Sequence, residues 1–283
     1  MAKVGVLVYF QKNLPTELKN KTQVNSNDMD LYKVTARVQK NIYRAREKHT
    51  DTEVILKTAD SSLDLCNEIV ILSKLDHPNI VKFYSSFVYS GSLYIVLEPG
   101  YLDLFTVAGN FPGRKIPEYR VRHNIVEPTA LALQYIHSKG IIHRDVKPEN
   151  IIVMCSGKTK LCDFGLATHK SSECSLHCGT RGFTAPEMRP GRPYDEKVDI
   201  WALGCVIYEL LCGVPYTKSY FKSLTVSNEA ISFTRHCLIK EPKLRPSASD
   251  LLAHLWVASR PEPNIPPRSN SLVDIQKRRR SSV

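Results

Sequence analysis

Hydrophobic residues fall in short blocks through the first third of the chain and then change to helical spacing. Ile42-Tyr43-Arg44-Ala45 and Val54-Ile55-Leu56-Lys57 are brief runs rich in β-branched and aromatic residues, the pattern of strands. Leu31 to Lys57 is therefore predicted to hold three strands, and Ser92-Leu93-Tyr94-Ile95-Val96-Leu97-Glu98 a further one. Between them, apolar residues at 65, 69, 72 and 75 share one face of a helix that includes Asn67-Glu68-Ile69. From Tyr119 to Ser138, Val121, Ile125, Leu131, Leu133 and Ile136 recur at helical intervals, which predicts a long helix kinked or interrupted at Pro128. Ile151-Ile152-Val153 returns to a strand pattern. Residues 11–29 are polar and read as a loop or linker. Val4 to Phe10 is a short apolar run without the length or cleavage site of a secretory signal, and is expected as an extra strand or a packed segment.

The chain has 283 residues, enough for one large two-lobed domain or two small ones. Its formal charge is +11. Six cations and two acids after Ser259 account for +4 of it, and the rest is spread over the domain. A basic surface suits anionic ligands, nucleic acid and acidic lipid alike. No nucleic-acid motif is present, so no specific nucleic-acid partner is expected. No apolar run reaches the ~18–20 residues that span a bilayer, so no membrane span is expected. None of the eight cysteines forms a CxxC pair, which reads as the reduced thiols of an intracellular protein. His169, Cys174, His177 and Cys178 lie close together, but their spacing fits no common zinc finger.

Three polar motifs stand in order. His143-Arg144-Asp145-Val146-Lys147-Pro148-Glu149-Asn150 leads into the strand at Ile151; Asp163-Phe164-Gly165 begins thirteen residues past Asn150; Ala185-Pro186-Glu187 follows. In this order and spacing they resemble the catalytic core of the eukaryotic protein kinases, from about Leu31 to Trp256. The resemblance implies an α+β, two-lobed kinase fold. A small, mainly β lobe with one helix would span 31–98, a hinge 98–103, and a larger, mainly α lobe 104–258. An N-terminal extension (1–30) and a disordered basic tail (259–283) would flank them.

Phosphoryl transfer asks for positioning and charge neutralisation more than for covalent help. By resemblance, Asp145 is the base that orients the acceptor hydroxyl, and Lys147 is the lysine that serine/threonine kinases aim at the transferred phosphate. Asn150 and Asp163 match the two positions that hold Mg2+. Lys57 matches the lysine on the α- and β-phosphates of ATP, and Glu68 the helix glutamate that pairs with it. Ile42, Ile55 and Ile152 would line the adenine pocket, with Leu97 as gatekeeper. The Glu98 carbonyl and the Gly100 N–H would bond the adenine edge, and Asp103 would stand near the ribose. Arg144 matches kinases that neutralise this arginine with a phosphate on the activation segment, where Ser171, Ser172 and Ser175 are candidates and Ser175 is nearest the usual place. Thr180 matches the threonine that bonds the catalytic loop. Glu187 and Arg245 match a structural ion pair, and the aspartate of Asp199-Ile200-Trp201 one that braces the catalytic loop.

The chain also departs from the family pattern. The family lays a glycine-rich loop over the phosphates, and the glycine positions counted back from Ile42 are Thr35, Arg37 and Lys40. No glycine occurs between Leu31 and Ile42. A bulky residue forced to positive φ costs about 1–2 kcal/mol, so a plainer hairpin is expected. Arg37 and Lys40 would either meet the phosphates as cations or form a solvated face. Ile55 replaces the family's small residue and narrows the pocket. Only eleven residues separate Tyr216 from Asn228, so a docking helix should be short or missing.

Two functional readings follow. The first is a serine/threonine protein kinase using ATP and Mg2+ on protein substrates, with basic residues near the acceptor favoured by Glu149 and Asp103, and with an upstream activating kinase. The second is a pseudokinase acting as a scaffold or allosteric partner; a kinase of small molecules fits less well with the segment ending at Glu187. Cytoplasmic residence is expected, with nuclear entry left open by Lys277-Arg278-Arg279-Arg280.

Overall fold

The β-branched runs of the first hundred residues pair into one sheet of six strands: β1 (Thr22–Gln23), β2 (Tyr32–Gln39), β3 (Ile42–Glu47), β4 (Glu53–Thr58), β5 (Phe83–Tyr89) and β6 (Ser92–Leu97). Their spatial order is β1-β5-β6-β4-β3-β2. All neighbours are antiparallel except β1, which runs parallel to β5. This is a computed structural model that describes residues 22–23, 28–59, 62–170, 178–189, 193–216 and 226–259. The chain forms two compact units, Met1–Pro99 with Asp163–Leu166, and Gly100–Cys162 with Ala167–Val283. The architecture is α+β: the sheet dominates the first unit and helices the second.

In the first unit, strand alternation sorts side chains onto two faces. Ala45, Val54, Leu56, Phe87 and Val96 form a buried cluster on one, covered by Met29, Tyr32, Tyr43 and Tyr94. The Phe87 ring stacks between Tyr32 (5.6 Å) and Tyr94 (5.1 Å). Met29 belongs to a 3-10 turn, Asp28–Leu31. Part of the segment read as linker is thus structured: it contributes this turn and the backbone of β1. Helix α1 (Ser62–Leu72) buries Leu65, Ile69 and Leu72, the stripe expected from the sequence. Val4 to Phe10, the Ser171/Ser172/Ser175 cluster, Cys174, His177, most of the shortened connection after Tyr216 and the basic tail lie outside the described residues.

The second unit is built around α5 (Lys197–Cys212), which follows α2 (Leu104–Gly109), α3 (Glu118–Arg120) and α4 (Glu127–Ser138) in the chain. α5 is buried from Val198 to Tyr208. It packs with Ile142, Ala185 and Met188 through Val198, Trp201 and Cys205. The last helices are α6 (Asn228–Cys237), α7 (Ala248–Ala253) and α8 (Leu255–Ala258). Arg245 is fully buried and pairs with Glu187 at 2.6 and 3.2 Å. Among the described residues, no helix is long and apolar enough to cross a membrane.

The helix predicted over Tyr119 to Ser138 forms, but Pro128 does not break it. A π-helical turn, Val121–Val126, joins α3 to α4 and places Pro128 in the first turn of α4. A missing N–H does least harm there. Proline cannot donate to the Asn124 carbonyl four residues back. The hydroxyl of Thr159, from β7 (Thr159–Leu161), donates to it instead at 2.9 Å. Asn124 Nδ2 donates to the Gly157 carbonyl at 3.1 Å. Replacing Thr159 with Val leaves that carbonyl without its donor and should cost about 1–3 kcal/mol. Urea unfolding followed by tryptophan fluorescence checks this, because Trp201 and Trp256 both lie in this unit.

Candidate active site

In the first unit three predicted residues converge. β4 and β3 are registered so that Ile42 faces Lys57 across the strands, with Ile95 of β6 on the other side. Lys57 Nζ donates to Glu68 Oε2 at 2.8 Å and to Asp163 Oδ1 at 2.9 Å. Burial disfavours the Lys57 charge, but the Glu68 and Asp163 carboxylates outweigh it and hold its pKa above the ordinary lysine value. Glu68 is fully buried, and burial pushes its carboxyl up against the opposing pull of Lys57. Asp163 has φ 62°, a left-handed conformation that costs a non-glycine residue about 1–3 kcal/mol. Asn67 Nδ2, donating to the Gly165 carbonyl at 3.1 Å, ties α1 to this turn.

In the second unit the catalytic-loop motif closes on Asp145. Thr180 Oγ1 donates to Asp145 Oδ1 at 2.8 Å and accepts from Lys147 Nζ at 2.7 Å. Lys147 Nζ also lies 2.7 Å from Asp145 Oδ2. Asn150 Nδ2 donates to Asp145 Oδ2 and to its backbone carbonyl, both at 2.9 Å. The motif therefore brings together four residues separated by up to 35 positions. Gly179 makes this possible. Its φ is +92°, and a Cβ there would stand 2.7 Å from the Arg144 carbonyl oxygen. Arg144 Nη1 donates to the Tyr194 hydroxyl at 3.2 Å. Burial pushes the Tyr194 phenol up to about 12.

The residues expected as a hinge divide between the units. Glu98 is anchored in the first by its N–H to the Lys82 carbonyl at 2.9 Å. In the second, Gly100 lies directly on Ile152: a Cβ at position 100 would come within 1.9 Å of Ile152 Cγ2. Only glycine permits that approach. Asp103 is the N-cap of α2, accepting from Thr106 N and Thr106 Oγ1 at 2.8 Å each. Its carboxylate is engaged at the helix start, a role its motif position did not reveal. Glu209, unremarked in the sequence, stands inside the apolar run of α5. Its carboxyl is raised by burial and by the like charge of Glu149, against the pull of Arg114. An acid within an otherwise buried helix was the signal for it.

The glycine-free loop takes the plainer form. β2 and β3 join through a tight turn at Lys40 and Asn41, with Gln39 opposite Ile42. Asn41 is the one residue from 32 to 47 at positive φ (65°), and asparagine tolerates it. Thr35, Arg37 and Lys40 avoid that strain. The register slips between Val34 and Ala36, and again between Arg37 and Gln39. Arg37 pairs with Tyr43, whose ring packs on the aromatic face, so Arg37 shares that face rather than the Lys57 face.

The comparisons with known proteins agree with this geometry. The protein kinase domain model matches residues 35–257. The chain belongs to the protein kinase family, in its serine/threonine class. It is similar to Serine/threonine-protein kinase 36 of Mus musculus, 35% identical over 243 residues, covering 77% of this chain and 18% of that protein. It is also similar to Serine/threonine-protein kinase Aurora-2 of Arabidopsis thaliana, 31% identical over 274 residues, covering 84% of this chain and 93% of that protein. Aurora kinase B of Danio rerio is 33% identical over 259 residues, covering 82% of this chain and 79% of that protein. The protein kinase family uses ATP and Mg2+ and acts on proteins.

Each unit offers an oxygen donor of the kind that ion takes. Both Asn150 amide donations go to Asp145, which leaves its carbonyl oxygen as the atom a cation would take. Asp163 offers a partly exposed carboxylate. Hard oxygen donors suit Mg2+. Among the described residues no cluster of three His, Cys, Asp or Glu offers a separate metal site. Replacing Thr180 with Val removes the hydroxyl between Asp145 and Lys147 and should lower stability by about 1–3 kcal/mol, since Asp145 is buried. Thr180→Ser should restore most of it, as read by the same urea titration.

Proposed function

We propose that this protein transfers the γ-phosphoryl group of ATP to serine or threonine hydroxyls of protein substrates. The observation that carries the reading is the Asp145 carboxylate, held by Lys147, Asn150 and Thr180 with every polar group of the catalytic motif present. Asp145 orients the acceptor hydroxyl and takes its proton as the oxygen attacks the γ-phosphorus. The bond to the β–γ bridging oxygen breaks, and ADP leaves. Lys147 offsets charge on the phosphoryl in flight. Lys57, kept protonated by Glu68, neutralises the α- and β-phosphates. Asp163 and Asn150 are the residues that would hold Mg2+, which supplies charge neutralisation at the phosphate oxygens when bound. Ile42, Ile55 and Ile152 serve the adenine, Glu98 and Gly100 its edge, and Asp103 the ribose. Arg144, with Ser175, makes the activation segment responsive to an upstream kinase. The chain spans 18% of Serine/threonine-protein kinase 36, and substrates and pathway are not inferred from that relative.

The glycine-free hairpin favours a second reading, a pseudokinase that binds partners without turning over ATP. Radiolabelled Mg-ATP, incubated with the protein alone and with a generic basic protein beside an Asp163→Asn control, separates the two. Label in the wild type that vanishes in the control is expected. No label in either, after the activation segment has been phosphorylated, gives the pseudokinase.

Glu149 is exposed, and its like charge acts on the Glu209 carboxyl. Arginine on the N-terminal side of the acceptor is the preferred substrate feature on this reading. A peptide array should show that preference, and Glu149→Ala with Glu209→Ala should flatten it. Selection of acidic or proline-directed sites refutes it.

A further inference from the structure

The sheet register assigns a second cation to the face that carries Lys57. Two rows cross that face. One contains Gln39, Ile42, Lys57 and Ile95; the next, one same-face step along β3, β4 and β6 and across a register slip on β2, contains Ala36, Arg44, Ile55 and Leu97. Same-face residues along a strand stand about 7 Å apart. If Lys57 meets the α- and β-phosphates, the neighbouring row lies a ribose's span away, where the base sits. Three members of that row are apolar. Arg44 is the exception, directly across from Ile55.

The guanidinium is not left to wander. Arg44 Nη1 donates to Glu53 Oε1 at 2.7 Å, with the side chains 28% and 39% exposed. A pair this exposed adds little to stability. What it does is fix the plane and position of a flat, always-charged group. A fixed guanidinium on an apolar sheet face is a stacking partner for a purine, whose π-face attracts cations. At the slip between Val34 and Ala36, the small Ala36 is the β2 residue paired with Arg44, and Thr35 Oγ1 donates to the Arg44 carbonyl at 3.1 Å.

We propose that Arg44, held by Glu53, is a nucleotide-specificity residue that stacks on the purine base of the bound nucleotide. This rests on the ATP-dependent reading above and deepens it. The hairpin lacks the glycines whose backbone would cradle phosphates, so binding is drawn from the base end of the nucleotide.

The distinguishing feature is which part of the ligand senses Arg44. Calorimetric titration of the full-length protein with adenosine, and separately with ATP and Mg2+, reads this directly. Arg44→Met keeps the apolar stem and removes the plane and charge. It should weaken adenosine and ATP by the same factor, about 2- to 10-fold, and raise KM for ATP correspondingly while kcat holds. Glu53→Gln should shift both affinities in the same direction by less. If the Met variant unfolds early in a thermal scan, Arg44→Lys replaces it: it keeps the charge and loses the plane, and should also weaken adenosine.

Unchanged adenosine affinity in Arg44→Met, or in Arg44→Lys where that stands in, overturns the proposal. So does a loss for ATP but not adenosine, which would make Arg44 a phosphate contact. A wild type that binds ATP and transfers phosphate while Arg44→Met behaves identically sinks this inference and spares the kinase reading. A wild type that binds neither ligand overturns both.

Discussion

The Asp199 carboxylate lies fully buried in the second unit and accepts three hydrogen bonds there. Two come from consecutive backbone N–H groups, His143 at 2.9 Å and Arg144 at 2.8 Å; the third comes from His137 Nε2 at 2.8 Å. Burial alone would push its pKa up, but His137 and His143 outweigh burial and hold it below the ordinary value. The carboxylate is therefore charged at neutral pH, and a buried charge is tolerable only while its partners stay in place. The two backbone donors are the ones that precede Asp145. Arg144 is held at φ 68°, a strained conformation that persists because both flanking features are fixed. His143 Nε2 lies 3.0 Å from the Cys162 carbonyl. The backbone that leads into Asp145 is thus positioned by α5, through one carboxylate.

The first unit solves a different electrostatic problem. One lysine faces two carboxylates, one fully buried and one partly exposed. Glu68 has no alternative partner of opposite charge among the contacts described, so it keeps Lys57 extended on the sheet. Asp163 is the more exposed of the two, its side chain 43% exposed against 1% for Glu68. The left-handed turn at Asp163 and the Asn67 bond to Gly165 belong to the same unit as the lysine. Lysine, glutamate and aspartate thus form one hydrogen-bonded set within that unit.

The polar site was readable in the sequence because chemistry fixes both residue type and spacing. Asp145, Lys147 and Asn150 stand within six residues of one another, so the motif is legible as one string. The strands and α1 were readable because burial on one face imposes periodicity. Other features left no such trace. The π turn before Pro128 depends on Thr159, thirty-five positions from Asn124 along the chain. The slip between Val34 and Ala36 is a backbone event that no residue type announces, and counting back from Ile42 assumed it absent. The sequence suggested Asp103 only as a ribose contact and did not show that it also caps α2, because capping and ligand binding use the same residue type. Glu209 was hidden in a helix whose other residues say only that it is buried. The two residues of β1 pair with β5, which a polar segment does not advertise.

The hairpin and the catalytic loop can diverge independently because they serve different parts of the energetics. Backbone contacts to phosphates that form equally in ground and transition states add affinity without adding rate. Groups that follow the proton and the phosphoryl in flight act mainly in the transition state. Replacing a glycine cradle by a regular two-residue turn removes contacts of the first kind and leaves the second intact. The same turn relieves the strain that glycine would have absorbed, through a single asparagine at positive φ. On the proposed reading, the loss falls on nucleotide affinity, where a stacked arginine offsets part of it, while the geometry around Asp145 is untouched. A chain released from catalysis would have no physical reason to keep Asp145, Lys147, Asn150 and Thr180 bonded to one another at 2.7–2.9 Å.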